Sequence, residues 1–297
     1  MGDHDIPVID IGPLRADPGS AAAAGVTAAI DEACSDSGFF VVTGHGVDDD
    51  VASIFGTARA FFGQPQAAKD RSAMIGNDGY LARGTARAGD KEMFDVGLDS
   101  FDRWPDLVGF REGVMSYQDA VLGVAADVLA GLARALDIEP TFFAARMRRP
   151  QCYLRMIHYP ALDPGSRGTA TTGAHTDYGA ITLLATDGVP GLQVRPRGRD
   201  WVPVEAPAGS FVVNLGDLLA RWTNARYRST PHRVVAVSDD ARISVPFFVN
   251  PDPDTVVECI PSCVDDEHPC AFEPITASEF LQGRIDGTIA TGDGTHA

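Results

Sequence analysis

The residues best suited by type and spacing to do chemistry are His175 and Asp177, in His175-Thr176-Asp177, and His232, which lies 55 positions beyond Asp177. Side chains at i and i+2 of an extended segment share a side. The His175 imidazole and the Asp177 carboxylate can therefore converge while Thr176 turns away. A neighbouring strand could bring His232 to the same point. Two imidazoles and one carboxylate on one face of a metal leave the opposite face open, the donor set of non-haem Fe(II) oxygenases. The triplet alone also fits a plainer arrangement, in which His175 and Asp177 share a loop hydrogen bond and His232 packs elsewhere.

Ten residues after His232, Arg242-Ile243-Ser244 repeats the i, i+2 pairing. A guanidinium fork matches a carboxylate in two parallel hydrogen bonds, and Ser244 adds a hydroxyl. Ile243, Val245, Phe247 and Phe248 make this run apolar, and an Arg turned inside it needs an anionic partner. That describes a dicarboxylate site; a surface Arg on an edge strand is the alternative. Tyr159 closes the run from Cys152, and alternation puts Tyr159, Ile157 and Arg155 on one face. Tyr159 suits a cosubstrate hydrogen bond or a place in the core. Arg155 suits a substrate anion or a pairing with an Asp or Glu.

The elements that must carry these residues differ between the two halves. In the first, Ile6 to Ile11 and Gly38 to Thr43 read as strands. Ala21 to Cys34 and Val51 to Phe62 read as helices, as does the apolar stripe from Val114 to Leu136 at three- and four-residue steps. Pro140 opens one more helical segment, ending near Pro150. Gly76 to Gly89 reads as a loop, a candidate lid with Tyr80, Arg83 and Arg87. From residue 151 strands follow in quick succession: 152–159, 180–185, 191–194, 210–214, 232–237 and 242–249. That spacing predicts an antiparallel sandwich or barrel. Beyond Asn250 the reading is loops and a helix from Ala277 to Arg284, with a frayed polar tail. The division expected is a mainly helical region at 1–150, a core holding the metal site at 151–250 and a closing segment at 251–297, all in one integrated domain.

Composition bounds the partners. Among 297 residues, 24 Lys and Arg against 41 Asp and Glu give a net charge of −17. That opposes binding to a nucleic-acid backbone and to an anionic membrane surface. The start lacks the basic and apolar stretches of a signal peptide, and no run approaches the ~20 apolar residues of a membrane span. Five cysteines then predict free thiols in a reducing cytoplasm, and a monomer is the default. Cys259, Cys263, His268 and Cys270 match no common zinc spacing.

Together these segments resemble the isopenicillin N synthase-like family of 2-oxoglutarate- and Fe(II)-dependent oxygenases, over nearly the whole chain. The resemblance runs through Ile6-Pro7-Val8-Ile9-Asp10, Gly38-Phe39-Phe40, Gly44-His45-Gly46, Lys91-Glu92-Met93-Phe94-Asp95 and Trp104-Pro105. It is densest over Gly173 to Gly179, Asn214 to Asp217, Arg228 to Val234 and Arg242 to Phe248. It implies an α+β fold, a double-stranded β-helix (jelly-roll) core flanked by helices. It implies iron ligands at His175, Asp177 and His232, with Arg242 and Ser244 on the far carboxylate of 2-oxoglutarate and Tyr159 supporting it. Many plant members carry Asn where this chain has Ile157, so one cosubstrate hydrogen bond is missing from the pattern. The activity implied consumes dioxygen and 2-oxoglutarate, releases succinate and carbon dioxide, and hydroxylates or desaturates a small organic molecule. An oxidase of this fold without 2-oxoglutarate and a non-catalytic small-molecule binder are the alternatives. Arg155, Phe94, Phe248 and Tyr178 are the substrate-side candidates.

Overall fold

An amphipathic helix needs a sheet or another helix to cover its apolar stripe, and the longest helix here sets that arrangement. The computed structural model describes residues 6–98, 101–161 and 168–289. Its helices are α1 (Gly12–Ala16), α2 (Ala21–Asp36), α3 (Asp48–Phe62), α4 (Gln66–Lys69), α5 (Phe110–Ala135), α6 (Asp217–Trp222) and α7 (Ala277–Ile285). The stripe read from the sequence is the buried face of α5, including Val114, Tyr117, Val121, Ala125, Val128 and Leu132. It packs on α2, α3 and the outer face of a large sheet. Ser20 caps α2 by accepting from the Ala23 amide. Thr276 and Glu279 form a reciprocal capping box on α7.

The strands are β1 (Val8–Asp10), β2 (Phe39–Thr43), β3 (Gly79–Leu81), β4 (Glu92–Gly97), β5 (Tyr153–Tyr159), β6 (Ala170–His175), β7 (Ile181–Thr186), β8 (Leu192–Val194), β9 (Val202–Pro203), β10 (Phe211–Leu215), β11 (His232–Val235) and β12 (Arg242–Val249), followed by the short pair β13 (Val256–Val257) and β14 (Ile275–Thr276). Eight of them form one sheet in the order β1-β2-β10-β7-β12-β5-β4-β3, and four form a second in the order β6-β11-β8-β9. Alternation divides the apolar side chains between two cores. Phe40, Val42, Phe211 and Val213 face the helices. Phe39, Val41 and Val212 face Leu192 and Val194 of the small sheet. The fold is the expected jelly roll flanked by helices. Among the described residues no helix is long and apolar enough to cross a membrane.

Several readings change. The segment Gly76 to Gly89 contains β3, and Tyr80 is not a lid residue: it is 2% exposed and packs edge-on against Phe61. The segment after Pro140 makes only a 3₁₀ turn at Ala144–Arg146. Besides β3 and the two-residue strands β9, β13 and β14, the longer strands β4 and β6 are absent from the sequence reading. β4 is buried throughout, so it lacks the polar alternation that marks a half-exposed strand. β6, ATTGAH, is composed of small and polar residues with little strand signature. Of the five cysteines, Cys34, Cys152 and Cys263 are free, but Cys259 and Cys270 form a disulfide. The expectation of five free thiols fails because the loop between β13 and β14 folds back and brings the two Cα atoms to 5.9 Å. Of the tail read as frayed, residues 290–297 lie outside the described residues.

A buried polar cluster ties β3, β4, β5 and α4 together on the helix side. Glu92 accepts from Lys69 (2.6 Å) and Tyr80 (2.5 Å), and its other oxygen meets His158 Nδ1 (2.8 Å). Burial pushes the Glu92 carboxyl up, but the hydrogen bonds from His158, Lys69 and Tyr80 outweigh it and bring the pKa down to about 2. Unfolding returns it to the ordinary value near 4.5. The stabilisation is therefore complete above pH 5 and lost as the pH falls from about 5 to about 2. In urea titrations, Glu92→Gln is expected to cost about 2 kcal/mol at pH 7 and to flatten the acid limb of the stability profile. An unchanged acid limb in the variant would remove Glu92 as its cause.

Candidate active site

The pairing of β6 with β11 sets His175 directly opposite His232, with the register slipping beyond that pair. The two rings lie 4.3 Å apart between centroids. Asp177, two residues past His175, brings Oδ1 to 3.9 Å from His175 Nε2 and 3.7 Å from His232 Nε2. One donor atom from each residue falls within 4.8 Å of the others. Each Nδ1 faces a backbone carbonyl, Gly173 O at 2.9 Å and Thr230 O at 3.3 Å. A ring nitrogen facing a carbonyl carries the proton, so both Nε2 lone pairs point at the shared centre. Burial pushes His232 below its ordinary pKa and favours the neutral ring. Asp177 Oδ2 accepts from Thr182 (2.5 Å) and Asn214 (2.7 Å), which leaves Oδ1 for the centre. Burial opposes the Asp177 charge, but His232, His175 and those two hydrogen bonds prevail and hold the carboxyl below the usual range. Two imidazole Nε2 atoms and one ionised carboxylate, all facing one point, suit a divalent cation with open positions.

The backbone around the triplet is tightly packed. Thr176, turned away as its alternation requires, donates to Asp217 Oδ2 (3.1 Å). Asp217 opens α6, is fully buried and meets Arg284 of α7 at 2.9 Å. Gly216 is required here, because a Cβ on it would lie 2.2 Å from the Gly179 carbonyl and 3.0 Å from that of Asp177.

Across the cavity, β12 pairs with β5 so that Arg242 stands opposite Tyr159 and Ser244 opposite Ile157. Arg242 is 4% exposed, and its Nε donates to Val189 O at 3.1 Å. Its Nη1 is buried without a partner, and among the described residues no carboxylate pairs with it. A buried guanidinium with a free N–H fits an anionic group entering from the cavity. Tyr159 lies under the guanidinium, 5.1 Å from its ring centroid, and its hydroxyl bonds Thr172 Oγ1 at 3.2 Å. The triplet, Arg242, Ser244, Tyr159, Arg155 and Phe248 all line one cavity of about 160 Å³. A second cavity of about 300 Å³ shares Tyr159, Val234 and Arg242 with it.

The substrate-side candidates divide. Arg155 lines the cavity and is also paired: it stands opposite Asp95 of β4 and grips both carboxylate oxygens at 2.8 Å. Phe248 lines the cavity beneath Arg155. Phe94 does not. It is fully buried on the helix side among Phe61, Phe101 and Phe110, because alternation along β4 turns Met93 and Asp95 inward and Phe94 outward. Tyr178 is also outside the cavity, 41% exposed with the Arg284 guanidinium 4.8 Å from its ring. The loop after β6 turns it away from Asp177. Of the residues named in the candidate lid, Arg87 lines the cavity; sequence reasoning missed Thr182 and Asn214 as partners of Asp177, and missed Lys91 and Thr172 in the cavity wall. The inward set of β4 is available in Lys91-Glu92-Met93-Phe94-Asp95 once that segment is taken as a strand.

Known proteins agree with this geometry. Residues 150–251 match the 2OG-Fe(II) oxygenase superfamily, and residues 6–106 match the N-terminal region of a non-haem dioxygenase in morphine synthesis. The 2-oxoglutarate-Fe(II) type oxidoreductase hxnY of Emericella nidulans is 36% identical, covering 93% of this chain and 88% of its own. Homoarginine-6-hydroxylase 2-ODD-C23.1 of Arabidopsis thaliana is 33% identical, covering 87% and 88%. Among solved structures, a full-length Neurospora crassa protein in complex with alpha-KG and thymine superposes with a TM-score of 0.87 at 27% identity, covering 97% and 99%. The rice dioxygenase for auxin oxidation gives 0.85 at 29% identity, covering 97% and 98%. Jelly roll, metal triplet and relatives converge: the chain belongs to the 2-oxoglutarate- and Fe(II)-dependent oxygenases and is an enzyme that uses iron, 2-oxoglutarate and dioxygen to oxidise a small molecule.

Proposed function

We propose that His175, Asp177 and His232 ligate the iron, that Arg242 and Ser244 hold the far carboxylate of 2-oxoglutarate, and that the outcome is hydroxylation of a substrate C–H bond. When bound, the metal and its cosubstrate supply the activation of dioxygen, with release of succinate and carbon dioxide. The observation that carries this reading is the pairing of one open-faced donor triplet with one buried guanidinium across a single cavity. Each protein group has a definite task. The carbonyls of Gly173 and Thr230 fix the imidazole tautomers. Thr182 and Asn214 hold Asp177 so that Oδ1 alone faces the metal. Arg242 would hold and neutralise the distal carboxylate of the diacid with its unpartnered guanidinium N–H. Tyr159 and Thr172 form a hydroxyl pair in the cavity wall that would support the cosubstrate. Ile157 opposite Ser244 presents an apolar side chain where a plant-type Asn would donate, so cosubstrate binding leans more heavily on Arg242.

Two experiments test these assignments. His175→Ala and Asp177→Ala are expected to abolish Fe(II) binding in anaerobic equilibrium dialysis, together with the visible band that forms when 2-oxoglutarate joins the iron protein. Wild-type affinity in either variant would overturn the ligand assignment. Arg242→Met is expected to keep Fe(II) binding and to weaken 2-oxoglutarate binding at least about 30-fold, since deleting one partner of a buried charge pair costs roughly 2–5 kcal/mol. A loss confined to substrate binding would instead make Arg242 a substrate anchor and favour an oxidase without 2-oxoglutarate.

A further inference from the structure

We infer that the substrate is a small organic anion whose carboxylate, or an equivalent group, is held by Arg87 and Lys91 at the β4 side of the cavity. This rests on the reading above and names the substrate class for the same site.

Four cationic side chains face one space. Arg87, Lys91, Arg155 and Arg242 all line the cavity. With iron, 2-oxoglutarate and ionised Asp177 in place, Arg242 completes a neutral set: two positive charges on the metal, two negative on the diacid, one negative and one positive on the protein. Arg155 is neutralised by Asp95 through two bonds of 2.8 Å. Asp95 is fully buried, so its charge is directed at those neighbours and not at solvent. Arg87 stands 3.8 Å from that same carboxylate, which Arg155 has already occupied on both oxygens. Lys91 meets no carboxylate among the described residues. Its Nζ donates to Thr171 O (3.1 Å) and Thr172 Oγ1 (3.0 Å), two neutral acceptors, and retains a third N–H. Two positive charges are thus left without a carboxylate of their own, Lys91 in the cavity wall and Arg87, its side chain 47% exposed, at the rim.

That surplus sits in a chain whose net charge is −17, so it is not a sample of a generally basic surface. It is also placed by strand geometry. Met93 and Asp95 of β4 stand opposite Ile157 and Arg155 of β5, and Lys91, just before β4, continues that side with its Nζ 6.0 Å from the Tyr159 ring. Burial and the nearby Arg155 push the Lys91 amine below its ordinary pKa, the response of a cation held without a counter-charge. An incoming anion would relieve that penalty, while a neutral substrate would leave it. Phe248 supplies an apolar wall beside Arg155, so an anion with a flat or compact apolar body suits the space best.

The test uses the iron protein loaded anaerobically with 2-oxoglutarate. The probes are benzoate, phenylacetate, cinnamate and hexanoate, each compared with its primary amide. Binding is read from perturbation of the visible band, and turnover from probe-stimulated succinate release. At least one acid is expected to bind about tenfold or more tightly than its amide, the discrimination of one charge-assisted contact. Lys91→Gln and Arg87→Gln are each expected to shrink that acid-to-amide ratio, while leaving 2-oxoglutarate affinity within about twofold. Equal binding of acids and amides, no binding by any acid, or a ratio untouched by both variants overturns the inference. A Lys91→Gln effect on 2-oxoglutarate alone overturns it too, and makes Lys91 a cosubstrate residue. If the wild-type protein forms no 2-oxoglutarate band, the site reading itself has failed, and that result is separate from all of these.

Discussion

The structure depends on keeping one carboxylate charged inside a protein. An isolated buried carboxylate is costly and ordinarily takes up a proton instead. Asp177 escapes this because Thr182 and Asn214 donate to one of its oxygens. Those donors come from β7 and β10, which are adjacent in the large sheet, whereas the two histidines come from the small one. The charge is therefore stabilised only when both sheets are in place. The metal centre is a property of the closed jelly roll and not of the His-Thr-Asp segment, which could not orient its own ligands.

Period-two alternation then distributes the chemistry. On β4, Glu92 and Phe94 face the helices while Met93 faces the cavity and Asp95, on the same side, grips Arg155; on β5 His158 faces Glu92 while Arg155, Ile157 and Tyr159 face inward. Neighbouring residues along the chain thus belong to different machines. Glu92, Lys69, Tyr80 and His158 form a closed charge network that holds the helices to the sheet. Asp95 and Arg155, one residue pair further along, shape the wall of the site. A one-residue slip in either strand would exchange the two networks. The direct hydrogen-bonding of Glu92 to His158 resists that slip on one face, and the bidentate Asp95–Arg155 pair resists it on the other.

Much of this is legible from residue types. The triplet, the Arg242 and Ser244 pair and the shared face of Arg155, Ile157 and Tyr159 all follow from i, i+2 spacing and apolar flanks, and all of them border one cavity. Phe94 and Tyr178 go astray for a single reason: proximity to a motif is not proximity to the site. For Phe94 the missing fact is that its segment is a strand, since a fully buried strand carries no alternating signal. For Tyr178 it is the turn after β6, whose path is set by Gly179 and Gly216 closing against each other. Thr182 and Asn214 give no sign in the sequence of bonding Asp177, although Asn214 opens a segment of the family resemblance, because that bond exists only through the β7–β10 pairing. The Cys259–Cys270 bond is hidden for the same kind of reason, since composition counts thiols but does not fold the loop that brings two of them together.

The same logic explains why the metal end is easy to read and the substrate end is not. At the triplet, three donor types at fixed spacings must satisfy one coordination centre, so the chemistry constrains the sequence directly. At the β4 wall nothing requires a particular residue; only the sum of charges matters to an incoming molecule. Lys91, Arg87, Asp95 and Arg155 are individually ordinary, and each has a structural role open to it. Their meaning emerges when they are counted against one another around the same cavity, where burial makes the unbalanced charge on Lys91 expensive and Arg87 adds a half-exposed charge at the rim. A cavity that retains such an imbalance selects its occupant by charge before shape, and it does so through residues that no motif would single out.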